Sequence, residues 1–239
     1  MTSSAGKKFG APVPDWSAPE RPDGLTLVGQ YARLEPLNAE AHAALLFRAY
    51  QNEDHVWDYM PVGPFSSSAQ FHRWSREAQD SADPKFFAIK NLETDAWQGV
   101  ASYLRIKPES GSIEVGFISY SPSLQRTRAG TEAMYLMMKW AFEAGYRRYE
   151  WKCDALNMPS RRAAQRLGLS YEGIFRQATV VKGRNRDTAW FAAIDSEWPA
   201  LKEAFATWLR PENFDNTGQQ IERLSDLTGL VRAGSDPQL

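Results

Sequence analysis

The sequence predicts an α+β fold: a mixed, mostly antiparallel β-sheet flanked by helices, with an N-terminal arm and a C-terminal helical extension. Three observations carry this. Strand-like runs at Lys85 to Lys90, Ala96 to Arg105 and Ile113 to Tyr120 follow one another through turns at Thr94-Asp95 and Glu109-Ser-Gly111, as in an antiparallel meander. The stretch Ser112 to Gly168 then alternates strand, helix, strand, helix, which adds one parallel neighbour through a helical crossover. Two long strands, Ser170 to Lys182 and Asp187 to Ile194, follow as a hairpin turning at Gly183-Arg184-Asn185-Arg186.

Each element has its own justification. Residues 1–24 are Ser/Gly/Lys-rich and then Pro-rich (Pro12, Pro14, Pro19, Pro22), which excludes regular helix and favours an extended arm; Phe9 and Trp16 are its candidate anchors. Leu25 to Val28 and Tyr31 to Glu35 read as a hairpin turning at Gly29. Asn38 can cap a helix over Ala39 to Tyr50. Two prolines, a glycine and several aromatics make Asp54 to Phe65 a shaped loop. An amphipathic helix over Ser67 to Asp80 follows, with Phe71, Trp74 and Ala78 on one face. Inside the central unit, an apolar helix is expected over Thr131 to Ala144, a strand over Arg148 to Asp154, and a second helix opened by Asn157 and Pro159. Trp198, Leu201, Phe205 and Trp208 recur at helical spacing, Pro211 stops that helix, and the residues from about Gly234 are expected to be loose. One domain over 25–195 is expected, with an arm over 1–24 and a helical extension over 196–239.

Composition bounds the function. With 239 residues, 43% apolar and 13% aromatic, the chain can bury a large core, and wholesale disorder is excluded. The net charge of −1 names no polyanionic partner, but the residues from Leu124 to Arg186 carry +8 and the remainder −9. That basic segment suits an anionic ligand, or a set of solvated helix faces. The single cysteine, Cys153, excludes an intrachain disulfide and a Cys-rich zinc site; in its apolar strand it reads as a buried small hydrophobe rather than a nucleophile. The three histidines, His42, His55 and His72, have no metal-ligand spacing, so no metal is expected. No apolar leader and no long apolar run occurs, so a soluble, cytoplasmic protein without membrane contact is expected.

The chemistry concentrates where the strand ending at Tyr120 enters its helix, over Gln125, Arg126, Thr127, Arg128, Ala129, Gly130 and Thr131. A helix N-terminus offers unpaired N–H groups and partial positive charge, and the two arginines add full charges that can pair with phosphate oxygens. Gly130 would permit close approach of a ligand, and Thr131 could cap or donate. This strand and junction, with Asn157-x-x-Ser160 and Arg166-Leu-Gly168 behind them, resemble the GNAT acetyltransferase family, and most closely its RimJ/RimL-type branch. The usual run there is Q-G-x-G-(Y/I)-A-T-E-A; Gln125, Thr131, Glu132 and Ala133 match it in place. Both glycines are replaced, by Arg126 and Arg128, which keep the backbone amides and are expected to hold the turn in the right-handed region. The likeness covers residues 31–195.

The resemblance implies the rest. Acetyl-CoA would be the co-substrate and a primary amine the acceptor, attacking the thioester directly. The amides of residues 125–131 would hold the pyrophosphate. A β-bulge at Phe117, Ile118 or Ser119 would supply the oxyanion donor, and pantetheine would lie along this strand where two parallel strands splay. Asn157 would both cap its helix and contact pantetheine. Many members carry a tyrosine that reprotonates the leaving thiolate; its position here is Ala164, which leaves Ser160 or a water for that role. Glu114 is the first candidate for the base that takes the amine's proton, sharing a face by alternation with Gly116 and Ile118; Glu150 and Asp154 are the runners-up. Trp57, Asp58, Tyr59 and Phe65 would form the acceptor pocket, aromatic walls with one carboxylate suiting a cationic amine, or else a packed loop. Arg184 and Arg186 either rim this groove or are solvated turn charges.

The expected activity is therefore N-acetylation of a protein N-terminus or a small-molecule amine by a monomer or homodimer. A CoA-binding protein without transferase activity is one alternative. An RNA-linked acyltransferase is another, less favoured because nucleic-acid stacking motifs are absent.

Overall fold

The computed structural model describes residues 8–239, so the first seven residues of the Pro-rich arm lie outside it. Eight strands form one sheet: β1 (Leu27–Val28), β2 (Ala32–Pro36), β3 (Lys85–Asn91), β4 (Ala96–Lys107), β5 (Ser112–Tyr120), β6 (Arg148–Asp154), β7 (Ser170–Val181) and β8 (Arg184–Ile194). Their spatial order is β1-β2-β3-β4-β5-β6-β8-β7, and the β5–β6 pair is parallel while the others are antiparallel. Among the described residues six α-helices accompany them: α1 (Ala39–Ala49), α2 (Ser68–Gln79), α3 (Arg128–Glu143), α4 (Met158–Arg166), α5 (Trp198–Trp208) and α6 (Leu224–Gly229). This is the mixed α+β architecture expected from the chain.

The sheet separates two cores because each strand alternates its side chains between faces. On one face Ile113, Val115, Tyr149, Trp151 and Phe191 pack with Ala133 and Met137 of α3, Ala164 of α4 and Leu201 and Phe205 of α5. On the other, Phe86, Ala88 and Val100 pack with Leu46 of α1, Phe71 of α2 and Trp57. The helices start where side-chain acceptors meet free N–H groups: Asn38, Ser67, Thr127 and Asn157 each accept a backbone N–H of the first turn.

Several local expectations are corrected. The β7–β8 hairpin turns at Lys182 and Gly183, both left-handed, as a two-residue connection requires; Arg184 and Arg186 are strand residues, not turn residues. Phe9 is 82% exposed and anchors nothing, whereas Trp16 packs against Gly111 and its indole N–H donates to the Glu109 carbonyl. The terminal residues are not loose. Asp236 is buried against Arg161 of α4, and α6 was not legible as a helix at all. No helix among the described residues is long and apolar enough to cross a membrane.

Candidate active site

The loop from Ser121 to Thr127 folds back on itself. The amide of Gln125 donates to the Ser121 carbonyl and that of Thr127 to the Leu124 carbonyl, while the Gln125 side-chain amide donates to the Tyr120 carbonyl at 3.0 Å. Thr127 accepts the Gly130 N–H at 3.0 Å, so α3 opens at Arg128, three residues before the expected start. Thr131 therefore lies inside the first turn; its hydroxyl donates to the Thr127 carbonyl and accepts from Arg166 at 3.1 Å. A Cβ on Gly130 would sit 2.7 Å from the Leu124 carbonyl oxygen, so this glycine serves the loop's own packing rather than ligand approach.

The two arginines differ from expectation and from each other. Arg126 has φ +60°, so its residue holds the left-handed conformation that a glycine adopts freely, not the right-handed one expected. Arg128 turns its guanidinium away to Glu93 and over the rings of Tyr31 and Phe214, at 4.7 and 4.8 Å, so its charge is already neutralised. The exposed Arg126 side chain has no carboxylate partner among the described residues. The backbone N–H groups of Arg126, Arg128 and Ala129 also find no acceptor among them, at the positive end of a 16-residue helix. Unpaired donors at a positive helix end are chemically suited to an anion.

The adjoining strand is open along one edge. Pairing of β5 with β6 ends at Val115 and Trp151, so β5 from Gly116 to Tyr120 has no neighbour on that side. On its other side, Val100 pairs with Ser119 and Ser102 with Gly116, leaving Phe117 and Ile118 opposite the single Ala101. This is a β-bulge, with Phe117 left-handed at φ +49°. The extra residue reverses the alternation: Phe117 packs into the Phe86 and Trp57 core, whereas Ile118 packs against the α3 side. Glu114 and Ile118 consequently do not share a face, as simple alternation required. The bulge is buttressed by the Tyr50 hydroxyl, which donates to the Ser119 carbonyl at 2.6 Å, and by the Ser102 hydroxyl, which donates to the Gly116 carbonyl.

Glu114 lies on the face away from α3, with its side chain 3% exposed. One carboxylate oxygen accepts from Arg105 of β4 at 2.6 Å and the other from Lys152 of β6 at 2.7 Å. Lys152 also donates to Glu150 at 2.6 Å, and Arg148 links Glu150 to Glu172. Burial raises the Glu114 carboxyl above the usual carboxylate range despite the opposing pull of Lys152 and Arg105. Burial acts upward on Glu150 too, but Arg148 and Lys152 outweigh it and hold that carboxyl low. The two carboxylates first weighed as bases are thus driven in opposite directions.

On α4, Asn157 accepts the Ser160 N–H at 3.1 Å, the capping role expected of it. Ser160 accepts the Trp151 indole N–H at 3.0 Å. Asp154 accepts the Leu156 amide, a loop tether. Ala164 is wholly buried in the core, and burial pushes the Cys153 thiol up to about 11. The four acceptor-pocket candidates separate. Trp57 is 2% exposed and Phe65 packs edge-on to it, so both belong to the aromatic core rather than to an open wall. Asp58 and Tyr59 are exposed, and the Tyr59 hydroxyl donates to the Leu156 carbonyl. Lys182 at the β7–β8 tip donates to the Trp57 carbonyl at 2.9 Å, joining hairpin to loop across the sheet face. Sequence reasoning missed Arg105, Lys152, Tyr50 and Arg166. The Glu150-x-Lys152 alternation beside Glu114 was a usable signal for Lys152; the others needed the fold. Among the described residues no cluster of His, Cys, Asp or Glu is suited to holding a metal ion.

Known proteins share this fold. A family model described as an acetyltransferase (GNAT) domain matches residues 32–170. The crystal structure of a GCN5-related N-acetyltransferase from Brucella melitensis is 45% identical, with a TM-score of 0.89 over 91% of this chain and 100% of that one. The uncharacterized N-acetyltransferase p20 of Bacillus licheniformis is 26% identical over 174 residues, 70% of this chain and 95% of its own. A more distant structure, at 19% identity and TM-score 0.60 over 70% of this chain and 96% of that one, is the Salmonella typhimurium acetyl transferase that modifies the N-terminal serine of ribosomal protein L7/L12; it shares the fold. The chain belongs to the GNAT family of acetyltransferases.

Proposed function

We propose that this acetyltransferase moves the acetyl group of acetyl-CoA to a primary amine, either a protein N-terminus or a small-molecule amine. The observation that carries the reading is the meeting of two backbone features: the unpaired amides of Arg126, Arg128 and Ala129, and the bulged, one-sided β5 edge from Gly116 to Tyr120. The first fits a pyrophosphate and the second an extended amide-bearing chain. GNAT domains use acetyl-CoA as co-substrate, which when bound supplies an activated acyl group.

In this reading the loop amides and the Arg126 side chain hold the phosphates, with Gln125, Thr127, Gly130 and Thr131 shaping the loop. Asn157 caps α4 and offers its side-chain amide to the pantetheine. Phe117, Ile118 and Ser119 bring a backbone N–H to the acyl oxygen. Glu114 takes the acceptor's proton, directly or through a water, and the departing sulfur receives one from a water or through Ser160, whose hydroxyl is reprotonated from solvent as it donates. Asp58 and Tyr59 border the acceptor, with Trp57 and Phe65 supporting the loop beneath them. The distant likeness to an enzyme acting on a ribosomal protein N-terminus supports that acceptor class.

Thiol release measured against a panel of N-terminal peptides and small amines tests the reading, alongside calorimetric binding of CoA. Amine-dependent release is expected, and Glu114→Gln should lower turnover about a hundredfold or more with little change in acetyl-CoA affinity. CoA binding with no release for any amine would favour the binding-protein alternative. Full turnover in Glu114→Gln would reject Glu114 as the base.

A further inference from the structure

A buried base is only useful if something keeps it ionised. The Glu114 carboxylate is almost wholly withdrawn from water, and an isolated carboxylate there would stay protonated and inert. Lys152 answers this directly. It lies on the neighbouring parallel strand, where Glu114 pairs with Glu150, two residues from Lys152. Its side chain is 7% exposed, its ammonium lies over the Trp190 ring at 3.9 Å, and it bridges Glu114 and Glu150 at 2.7 and 2.6 Å. Few freedoms remain to such a side chain: the aromatic floor, two carboxylates and the sheet fix it.

Resting on the reading of Glu114 as base, we infer that Lys152 is a positioning residue that holds the Glu114 carboxylate ionised and oriented, and so sets the acidic limit of turnover. One proton passes from the acceptor's ammonium to Glu114. The charged groups facing Glu114 are Arg105 from β4 and Lys152 from β6, the latter shared with Glu150; Arg148 and Glu172 of β7 lie one step further along the chain of ion pairs. From β8 the Trp190 ring meets Lys152. Arg105 is half exposed and its charge is screened by water, whereas Lys152 acts through a dry contact. Glu150 shares the lysine and opposes its effect as a like charge near Glu114.

The test is the pH profile of kcat/KM for one amine acceptor, in four variants, with acetyl-CoA affinity measured by calorimetry as the control for folding. The acceptor's own ionisation is common to all profiles and cancels between them. Lys152→Met should move the acidic limb to higher pH by about one unit or more, and Lys152→Arg should keep it near its original position. Glu150→Gln should move it the other way, to lower pH. A uniformly lowered profile in Lys152→Met, with the limb unmoved, would reduce Lys152 to a packing residue and overturn the inference. If Lys152→Met fails to bind acetyl-CoA, Glu150→Gln decides: a limb unmoved or raised overturns the inference. Glu114→Gln separates the two levels, because full turnover there removes the base assignment itself, whereas loss of turnover with an unmoved Lys152→Met limb removes only the role of Lys152.

Discussion

The buried carboxylate of Glu132, on α3, accepts the backbone N–H of Tyr31 at 2.6 Å. It also accepts those of Gln30 and Ala32, at 2.9 and 2.7 Å, so one side chain satisfies three successive donors of the β1–β2 turn. Helix α3 is thereby pinned to the first hairpin of the sheet. Glu132 belongs to the run by which the family is recognisable, and its task here is tertiary rather than catalytic.

Glu132→Ala should therefore cost about 3 kcal/mol, since it strands the buried N–H groups of Tyr31 and Ala32 and takes a charged acceptor from the half-buried one of Gln30. Gly29→Ala should also destabilise, because a Cβ there would lie 2.4 Å from the same carboxylate. Urea denaturation of both variants measures this. A loss under about 1 kcal/mol in Glu132→Ala would show that water replaces the carboxylate readily.

Arg126→Gly relieves a non-glycine residue at φ +60° and should stabilise the fold by about 1 kcal/mol, a rise of about 2–4 °C in Tm. Its effect on CoA binding should be confined to the lost charge, a weakening that salt abolishes, because the amide is retained. Arg128→Ala should instead lower stability, through Glu93, Tyr31 and Phe214, and leave the salt dependence of CoA binding unchanged. Equal salt dependence in both variants would contradict this division.

Arg161 and Asp236, with side chains 1% and 0% exposed, form a two-armed ion pair at 2.7 and 2.6 Å that ties the end of the chain to α4. Asp236→Ala leaves a buried guanidinium uncompensated and should cost about 3–5 kcal/mol. Thermal or urea unfolding checks it, with the exposed Arg76–Glu40 pair as a control whose loss should scarcely register. In the proposed reading Asn157 and Ser160, at the start of α4, face the acetyl-CoA, so its KM should rise in the same variant.

Cys153 should be silent toward thiol reagents in the folded protein. Burial raises its pKa to about 11, only partly offset by the Ser160 hydrogen bond, so at pH 8 the thiolate is scarce as well as inaccessible. One thiol should titrate with Ellman's reagent in denaturant and none in buffer. Rapid reaction of the native protein would contradict the buried placement. The same silence keeps the thiol-release assay free of background.

Much of the architecture was legible because it rests on local rules. Period-two and helical patterning located the meander, the crossover unit and the apolar stripe of α5, and Asn38 and Asn157 sit where capping acceptors are needed. The errors arose where a local rule met a distant partner. Helix α3 begins at Arg128 rather than Thr131 because the Thr127 hydroxyl caps it by accepting the Gly130 N–H. For Trp57 and Phe65 the resemblance implied pocket walls and the residues alone allowed a packed loop; Phe71 and Trp74 of α2 enclose them, which is the packed arrangement.

By itself the sequence determined the strand and helix order, the junction proposed to bind an anion and the family it resembles, since each is written in contiguous residues. Only the tertiary structure decided which charges remain free and which faces they share. Arg128 is spent on Glu93, thirty-five residues away, while Arg126 is not. Glu114 is buried between Arg105 and Lys152 because three strands set them side by side, and a single bulged residue sends Ile118 to the other face. The physical reason is that burial and ion pairing depend on register between strands, and spacing along one strand does not contain it.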